Sequence, residues 1–356
     1  MLSTAFLPHL FPLAMIAGYF TATPWAFRAV GWIVLIVPLL DSVSGVDRRT
    51  AIAQQEREQL GEVAMWTFVP LHLAIVWCGL QAVSREPLPF GDLLRLIWSV
   101  GLAVGATAGM FGVPVAHELM HRPGRLRRSV AEVQMGLLSY PHFCIEHVEG
   151  HHRYVATPRD PATARLGESL FAFYPRVVWG SLRSAWRIEA GRLHDRGIGV
   201  LSFHNRMLRY AILLWVLYAV LFVQFGWPGI TFFAVQSAVG FSTLEVINYV
   251  EHYGLTRRES APGCYERVGV EHAWNSNHRV SNWLLFNVAR HSDHHCDSRR
   301  PWGSLRNLDE APQLPAGYFS MFVLALVPPL WHRVMDPRVA SWQRAQDGMS
   351  APEVIR

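Results

Sequence analysis

The sequence predicts an all-α integral membrane protein, with six transmembrane helices and a cytoplasmic helical cap that holds a histidine-rich site. Hydrophobic residues make up 51% of the chain, and charged residues make up only 17%. Six apolar runs approach the length of about 20 helical residues that crosses a hydrocarbon core. Four tight histidine clusters lie beyond the ends of such runs. These three observations together predict the fold class.

Six candidate spans divide the chain into a membrane part and a cap. The spans cover residues 6–22, 24–40, 63–83, 93–116, 207–225 and 228–247. Gly226–Pro228 is a turn sequence, so the last two spans are expected to form an antiparallel hairpin. No basic residue precedes the first span, which favours a membrane anchor over a cleaved signal peptide. The cap comprises about 117–206 and 248–356, and residues 1–356 are expected to form one membrane domain.

The charge pattern predicts an orientation. The formal charge is +5, and all 32 basic residues are arginines. On a soluble protein this charge would suggest a nucleic-acid partner, but most of these arginines lie in loops and in the tail, as in cytoplasmic loops of membrane proteins. Arg48, Arg49 and Arg57 follow the second span. We therefore expect no nucleic-acid partner, and we expect both termini and the cap on the cytoplasmic side.

Two stretches of the cap are expected to lie at the membrane surface without spanning it. Arg176–Arg192 carries arginines along one helical stripe, and Trp179 and Trp186 occupy part of the opposite face. Such a basic amphipathic helix fits the headgroup interface, and binding of a partner helix is the less favoured alternative. Tyr318–Val327 is apolar but too short to span, so it is expected to be interfacial or packed on the cap.

The histidine clusters have the spacing of metal ligands. Their nine members are His117, His121, His147, His151, His152, His252, His291, His294 and His295. Imidazole is a common ligand for iron, zinc, copper and nickel. Nine ligands exceed what one ion can hold, so the clusters predict a two-metal site. The four cysteines are scattered and form no Cys-x-x-Cys pair, which argues against a disulfide framework or a thiolate site.

Spacing within the first two clusters predicts which imidazoles share a face. His117 and His121 are four residues apart, as are His147 and His151, so each pair is expected on one helical face. On an ideal α-helix His152 would point about 140° away from His147. The glycine before His151 offers a place to relax this geometry, so we expect His152 to turn toward the second metal.

The remaining clusters complete the predicted ligand set. His291, His294 and His295 have the i, i+3, i+4 spacing that directs three ligands into one space. Asp293, between them, is expected to orient an imidazole by a hydrogen bond. His252 follows the sixth span by about one turn and supplies one more ligand.

Two other metal schemes fit parts of this pattern. His117, Glu118 and His121 form the His-Glu-x-x-His motif of zinc metalloproteases, in which Glu118 would be the general base. A ferritin-like, carboxylate-bridged site is the second scheme. Its residues would be Glu118, His121, Glu149, His152, Glu245 and Glu251. That scheme leaves most of the cluster histidines unexplained, so the histidine-rich site is favoured.

Other polar residues are expected to surround the ligands without binding metal. They are Glu118, Glu146, Glu245, Glu251, Asp293, His272 and Asn277. No side chain beyond the metal centre is expected to be catalytic, although Glu146, Glu251 or Asp293 would be able to relay protons. Single histidines elsewhere are expected to pack, to cap helices or to contact solvent.

At these residues the chain resembles the integral-membrane alkane 1-monooxygenases (alkane hydroxylases), within the membrane fatty-acid desaturase and hydroxylase superfamily. Three short histidine boxes mark the superfamily. Asn248–Leu255, with the sequence Asn-Tyr-Val-Glu-His-Tyr-Gly-Leu, resembles a signature of the alkane hydroxylases. Glu146–Glu168 and Trp274–His278 also match. The similarity extends from about Leu39 to Leu305.

The resemblance implies a non-haem di-iron monooxygenase of the bacterial inner membrane. It would hydroxylate the terminal methyl group of medium- or long-chain n-alkanes to 1-alkanols, using O₂. The nine cluster histidines would bind two iron ions, without haem or flavin. Electrons would come from a separate rubredoxin, itself reduced by an NAD(P)H-dependent rubredoxin reductase. Arg299 and Arg300, near the last cluster, are expected to dock this acidic carrier.

Small departures and related activities leave the substrate open. Arg122 stands where lysine is common, and Val288-Ala289 replaces the usual Leu-Gln, which leaves the preferred chain length undecided. An aromatic-methyl hydroxylase and a fatty-acyl desaturase share the histidine boxes, and Asn248–Leu255 disfavours the desaturase. More distant alternatives are a zinc intramembrane protease and a metal transporter. A transporter would need ionisable groups inside the spans, where chiefly His72 occurs.

Overall fold

Helices form nearly all of the regular structure in the computed structural model, which describes residues 4–21, 25–47, 54–85 and 87–350. The α-helices are α1 (Leu10–Phe20), α2 (Trp25–Ser44), α3 (Gln54–Ser84), α4 (Phe90–Thr107), α5 (Val113–His121), α6 (Arg125–Leu137), α7 (Phe143–Ile145), α8 (His152–Tyr154), α9 (Leu170–His194), α10 (Arg206–His252), α11 (Arg279–Leu284), α12 (His291–Cys296), α13 (Tyr318–Ala325) and α14 (Pro328–Ser350). The shorter elements are 3-10 turns at Thr4–His9, Val270–His272 and Trp302–Ser304, π-helical segments at Ala108–Gly112 and Glu146–His151, and the antiparallel strands β1 (Glu259–Ala261) and β2 (Cys264–Tyr265). The predicted helical class is confirmed, and the short β1–β2 pair is an addition to it.

Three described helical stretches are long and apolar enough to cross a membrane. They are Leu60–Ser84, Phe90–His121 and Arg206–His252. The last four predicted spans fall within them. The first two predicted spans fall on shorter apolar helices, Thr4–Phe20 and Leu35–Ser44, and part of each lies outside the described residues. Arg48 and Arg49, which support the predicted orientation, also lie outside them, so the orientation stays a prediction.

The predicted hairpin after Phe225 is confirmed. Helix α10 is interrupted at Gly226, whose φ of 63° a side chain would rarely adopt. Tyr218 and Phe233 lie on opposite sides of this break, yet their ring centroids are only 5.3 Å apart. On a straight helix fifteen residues would separate them by roughly 22 Å. The chain therefore reverses at the Gly226–Pro228 turn.

Close packing of α4 against the second half of α10 positions the first histidine cluster. A Cβ atom at Gly105 would lie 2.5 Å from the backbone oxygen of Gln236, so only glycine permits this approach. Small residues at such crossings let apolar helices meet backbone to backbone. The π-helical segment Ala108–Gly112 then follows, and α5 continues directly from it. Segments of this kind are frequent near functional sites.

The two cap stretches predicted at the membrane surface are helical. Ser169 caps α9, since its Oγ accepts a hydrogen bond from the backbone N–H of Ala172 at 3.3 Å. The apolar face of α9 is exposed, and Trp179 retains 61% of its accessible surface. By contrast, α13 buries Tyr318, Phe319 and Met321. It packs against α2, α10 and α14, so it contacts helices of the membrane part as well as the cap.

Candidate metal centre

Four separate parts of the chain bring the nine cluster histidines together. Helix α5 carries the first cluster, and the π-helical segment Glu146–His151 with α8 carries the second. The third lies at the end of α10, and the fourth forms α12. Seven of the nine residues are buried, and His121 and His152 are partly buried. Residues far apart in the sequence thus enclose one polar space.

The histidines divide into two groups, within each of which the candidate ligand atoms lie within 4.8 Å of one another. We call them group A and group B. Group A comprises His117, His121, His147, His152 and His294. Group B comprises His151, His252, His291 and His295. The predicted two-metal arrangement therefore has two distinct sets of donors.

The ring nitrogens converge at distances suited to the edges of a coordination polyhedron. In group A, the Nε2 atom of His152 lies 3.1 Å from that of His147 and 3.1 Å from that of His294. With metal–nitrogen bonds of about 2.1 Å, neighbouring ligands stand roughly 3.0 Å apart in octahedral geometry and roughly 3.4 Å apart in tetrahedral geometry. Group A has this spacing.

Group B has the same spacing around His295. The Nε2 atom of His295 lies 2.9 Å from that of His291 and 3.3 Å from that of His151. The Nε2 atoms of His291 and His252 are 3.2 Å apart. A ring nitrogen offers either one hydrogen or one lone pair, so hydrogen bonds alone cannot satisfy this convergence. A shared cation would.

Two further nitrogens support the same conclusion. The Nε2 atoms of His117 and His121 are buried without a hydrogen-bond partner. Buried polar groups without a partner are rare because they lose their hydration. Both atoms belong to group A, and a metal ion is the partner that this donor set fits.

Burial keeps the imidazoles in the form that binds metal. It lowers the pKa of the cap histidines well below the ordinary value, and the charges of neighbouring imidazoles lower it further. The histidines concerned are His147, His152, His291, His294 and His295. Metal ligation requires neutral imidazole, so these residues are ready to bind without losing a proton.

The grouping in the second cluster corrects the sequence prediction. His147 and His151 were expected to share a face, but His147 joins group A and His151 joins group B. The reason is the π-helical backbone of Glu146–His151. Its i→i+5 hydrogen bonds bring residues five apart above one another, so His152 lies beside His147.

The fourth cluster is also divided. His291 and His295, four residues apart, belong to group B, whereas His294 belongs to group A. The expectation that all three would face one space was therefore wrong. The reason is that α12 lies between the two groups, so the imidazoles of adjacent residues on this helix face different groups.

A carboxylate that the sequence interpretation missed holds His151. The Oδ2 atom of Asp160 lies 2.9 Å from His151 Nδ1 and accepts a hydrogen bond from Thr163 Oγ1 at 2.6 Å. Burial would raise the pKa of Asp160, but His151 and Thr163 outweigh it and keep the pKa below its ordinary value. Asp160 belongs to the matching run Glu146–Glu168, which was the only available signal.

Glu251 is the predicted surrounding residue that contacts a cluster histidine. Its Oε2 atom lies 3.3 Å from His291 Nε2, and its Oε1 atom accepts a hydrogen bond from Tyr318 Oη at 3.0 Å. All three side chains are buried. Tyr318, on α13, was not predicted to belong to the site.

The other predicted surrounding glutamates have different partners. Glu118 accepts hydrogen bonds from Arg122 at 2.5 Å and from the backbone N–H of Trp302 at 3.2 Å. Glu245 accepts from Tyr140 at 2.8 Å and from Asn248 at 3.0 Å. Among the described contacts, neither carboxylate is bonded to an imidazole.

Glu146 is buried beside the second cluster. Burial raises its pKa well above the ordinary value, with further contributions from the charges of Asp160 and Glu245.

The last three predicted surrounding residues lie in other networks. Asp293 accepts hydrogen bonds from the Arg306 side chain at 2.7 and 3.0 Å and pairs with Arg300 at 3.2 Å. It therefore does not make the predicted bond to an imidazole. His272 Nδ1 accepts a hydrogen bond from the backbone N–H of Gly269 at 2.9 Å. Asn277 donates to Gln313 at 3.0 Å.

These contacts disfavour both alternative metal schemes. The protease scheme needs Glu118 at the metal, but its carboxylate is occupied by Arg122. The ferritin-like scheme also needs Glu149 and Glu245 as ligands. Glu149 pairs with Arg206 at 2.8 Å, and Glu245 has the partners given above. In the described part of the chain, both donor groups consist of histidine alone.

An ionic network fastens the π-helical segment to α9 and α10. Glu149 lies within that segment and accepts a hydrogen bond from Arg206. Arg206 also pairs with the fully buried Glu189 at 2.7 Å, and Arg192 pairs with Glu189 at 2.5 Å. Burial opposes ionisation of Glu189, but the hydrogen bonds from Arg192 and Arg206 lower its pKa to about 2. The network holds the second cluster in place.

A narrow apolar cavity ends at both groups. Its volume is about 70 Å³. Its walls come from the end of α4 through α5, from α10 and from α13, and include Met110, Leu244 and Phe322. His117 of group A and His291 of group B lie at the same cavity. An unbranched apolar molecule would thus reach both groups.

Comparison with known proteins identifies the family. The fatty acid desaturase family matches residues 93–325. Alkane 1-monooxygenase 1 of Pseudomonas aeruginosa is 39% identical over 91% of this chain and 85% of its own length. Alkane 1-monooxygenase of Acinetobacter baylyi is 39% identical over 92% of this chain and 81% of its own. The xylene/toluene monooxygenase hydroxylase component of Pseudomonas putida is 32% identical over 73% and 67%, respectively.

The matched region includes all nine cluster histidines, so the similarity covers the residues that form groups A and B. It confirms the resemblance that the histidine boxes and the Asn248–Leu255 run predicted. The chain belongs to the alkane 1-monooxygenases, within the fatty acid desaturase family.

Proposed function

We propose that this protein is a non-haem di-iron monooxygenase that converts n-alkanes to 1-alkanols. The observation that carries the proposal is the convergence of two imidazole groups at the end of an apolar cavity. The similarity to alkane 1-monooxygenases over most of the chain supports the same reaction. Medium- and long-chain alkanes are the proposed substrates.

We assign one iron ion to each histidine group. Group A would bind its ion with five imidazoles, and group B would bind its ion with four. Imidazole also suits zinc, but zinc has no redox chemistry. Because hydroxylation with O₂ requires electron transfer, iron is the better assignment.

The overall reaction consumes one alkane, one O₂, two electrons and two protons, and it yields one 1-alkanol and one water. The iron ions would supply the activation of O₂ and the oxidation of the C–H bond. The protein contributes ligand geometry and an environment from which bulk water is excluded. Haem and flavin have no part in this proposal.

The cavity would position the substrate by shape, because an alkane offers no polar group to bind. Side chains such as Met110, Leu244 and Phe322 would surround the chain of methylene groups. The terminal methyl group would stop beside His117 and His291, where the cavity meets both groups. Holding the reacting carbon there favours attack at the end of the chain.

The polar residues around the ligands would hold the imidazoles in position. Asp160 would orient His151 through its hydrogen bond to Nδ1. Tyr318 fixes Glu251 beside His291. The wider predicted set would act through longer networks. We retain Glu118, Glu146, Glu245, Asp293, His272 and Asn277 in that indirect role.

We place the whole chain, as one domain, in the bacterial inner membrane with six spans at the predicted ranges. The three long apolar helices and the turn at Gly226 support this arrangement. The exposed Trp179 and Trp186 on α9 support contact with the membrane surface. Both termini and the metal centre would face the cytoplasm.

Electrons would come from a separate rubredoxin, reduced in turn by an NAD(P)H-dependent reductase. All four cysteines of the chain are free and widely separated, so they do not form a rubredoxin-like iron site. This supports the proposal that a partner protein carries the electrons.

Reconstitution tests this function. The purified chain in nanodiscs would be combined with rubredoxin, its reductase, NADH, O₂ and a series of n-alkanes. We expect 1-alkanols, two iron ions per chain by mass spectrometry, and loss of product in His295→Ala. Full turnover by His295→Ala would contradict the ligand assignment, and absence of alkanol from the iron-loaded wild type would contradict the reaction.

Hydroxylation of aromatic methyl groups is a second candidate. The similarity to the xylene/toluene monooxygenase component favours it. Parallel assays with octane and xylene separate the two, because a narrow cavity should prefer the unbranched chain.

A further inference from the structure

A broad groove opens on the cap beside the metal centre. Residues from the π-helical segment, from α8 and the loop after it, and from α9 line it, and its volume is about 810 Å³. The groove is thus far roomier than the apolar cavity. Its lining is also polar, and its six arginines outnumber its three acidic residues, Glu149, Asp160 and Asp195.

Four arginines of this groove present their charges to solvent. They are Arg153, Arg159, Arg165 and Arg187, and all four are exposed. None of the ion pairs among the described residues includes them. Two other groove arginines differ, since Arg176 pairs with Glu168 at 2.6 Å and Arg192 pairs with Glu189 at 2.5 Å. We call the four exposed residues the arginine rim.

Helix α9 directs this groove away from its apolar face. Arg176, Gly180 and Arg187 line the groove, at spacings that share one side of a helix. Trp179 and Trp186 are exposed on the other side. If the tryptophans contact the membrane surface, the groove faces the aqueous side.

The groove is connected to group B through one carboxylate and one imidazole. Asp160 lines the groove, and its Oδ2 atom lies 2.9 Å from His151 Nδ1. The other ring nitrogen of His151 faces His295 Nε2 at 3.3 Å. One carboxylate and one imidazole therefore separate a bound partner from the proposed ion of group B.

We propose that the arginine rim is the docking surface for a small acidic one-electron carrier protein, which passes electrons to the metal centre through Asp160 and His151. This inference rests on the proposed function, because the monooxygenase reaction is what requires two electrons from a carrier. Complementary charge would bring the carrier to the groove. Because Asp160 lines the groove, a carrier bound there would lie close to its carboxylate.

This location differs from the one expected from the sequence. Arg300 pairs with Asp293 at 3.2 Å and with Asp297 at 3.8 Å, so its charge is already neutralised. Arg299 is exposed, but it is a single charge. The arginine rim provides four.

The number of electrons consumed determines how often a carrier must dock in the groove. Each docked carrier gives up one electron and leaves oxidised. Two docking events therefore supply the two electrons that one hydroxylation consumes. The carrier must bind weakly enough to exchange between these events, which suits a solvent-exposed charged surface.

The test uses the double variant Arg165→Glu/Arg187→Glu in nanodiscs, with reduced rubredoxin as the probe. Neither residue contacts a cluster histidine. We expect the KM for rubredoxin to rise about tenfold at low ionic strength, with kcat at saturating rubredoxin nearly unchanged. Binding measured by biolayer interferometry should weaken by the same factor. Raising the salt concentration should weaken rubredoxin binding less in the variant than in the wild type.

Two matched variants control for a general change of charge. Arg183→Glu changes an exposed arginine of α9 outside the groove, and Arg299→Glu changes the alternative surface. Both should retain the wild-type KM. Iron content and reduction by dithionite, which needs no docking, should be the same in all variants.

Three results would overturn the inference. The first is that the double variant binds rubredoxin as tightly as the wild type does. The second is that Arg299→Glu, and not the double variant, loses binding. Alternatively, the double variant would differ from the wild type only in nanodiscs with anionic lipid, which would make the rim a headgroup site. Failure of the proposed function is distinguishable, because the wild type would then form no alkanol even with dithionite, while rubredoxin binding would still be measurable.

Discussion

Helix α5 and the π-helical segment Glu146–His151 each carry a histidine pair at i, i+4, but they use it differently. In α5 both His117 and His121 belong to group A. In the π-helical segment His147 belongs to group A and His151 to group B. A regular helix therefore keeps residues four apart on one face, whereas the wider helix sends them to different groups.

The two segments also differ in what holds them. The carboxylate on α5, Glu118, is bonded to Arg122 and to a backbone N–H. In the second segment, His151 is bonded to Asp160 and Glu149 to Arg206. The wide helix thus depends on partners from outside itself, as expected for a backbone that is rarely stable alone.

The largest expected effect comes from removing one ligand from each segment. His121→Ala and His151→Ala should each lower alkanol formation by at least about a hundredfold, because each opens a different group. Each should also retain half of the wild-type iron or less by mass spectrometry. The exposed His194→Ala is the control. Wild-type iron in either ligand variant would mean that the groups are assigned incorrectly.

The ionic network around the π-helical segment should make the stability of the protein depend on pH. The folded state holds the pKa of Glu189 near 2, below its ordinary 4.5, so this stabilisation is complete above pH 4.5 and is lost as the pH falls toward 2. Glu189→Gln lacks it and should be less stable at neutral pH by about 3 kcal/mol. Thermal unfolding in detergent from pH 2 to 7 should show the difference between the proteins shrinking with acid. A constant difference would exclude this role.

Asp160→Asn tests the hydrogen bond to His151. An amide can still reach Nδ1, but it lacks the negative charge that makes the imidazole a better ligand. We expect metal affinity or alkanol formation to fall about ten- to a hundredfold. The matched change on α5, Glu118→Gln, should have less effect on metal affinity, since Glu118 contacts no imidazole. Competition with a chelator measures the metal affinity of both variants. Equal losses of affinity would contradict the different roles of Asp160 and Glu118.

Gly150→Ala is expected to have the smallest effect. The new Cβ atom would lie 2.7 Å from Glu146 Oε1 and 3.0 Å from Ile188 Cδ1, so the π-helical segment must shift. Overpacking of this kind costs about 1 kcal/mol or more. Gly136→Ala is the control, because nothing lies within 4 Å of its Cβ position. A lower melting temperature for Gly150→Ala alone would support the account, and an equal change in both would contradict it.

The same contrast explains what the sequence could predict. The pairing of His117 with His121 follows from regular helical geometry, and the turn at Gly226 follows from Gly-Trp-Pro. The structure confirms both. The π-helical backbone has no reliable sequence pattern, so the faces of His147, His151 and His152 could not be derived.

Local sequence patterns also could not predict contacts between residues that are far apart in the chain. Asp160 reaches His151 because the chain bends back after α8, and Tyr318 reaches Glu251 from 67 positions away. Asp293 was expected to bond an imidazole because it lies between ligands in the sequence. Arg300 and Arg306 compete for it, and a charged donor forms the stronger bond with a carboxylate.

Two neighbouring pairs in the chain have a mechanical consequence. His151 and His152 are joined by one peptide bond, as are His294 and His295, yet each pair has one member in group A and one in group B. A displacement of either dipeptide alters both coordination spheres together. Filling one sphere would therefore preorganise the other, and titration of the metal-free protein with ferrous ion should be cooperative.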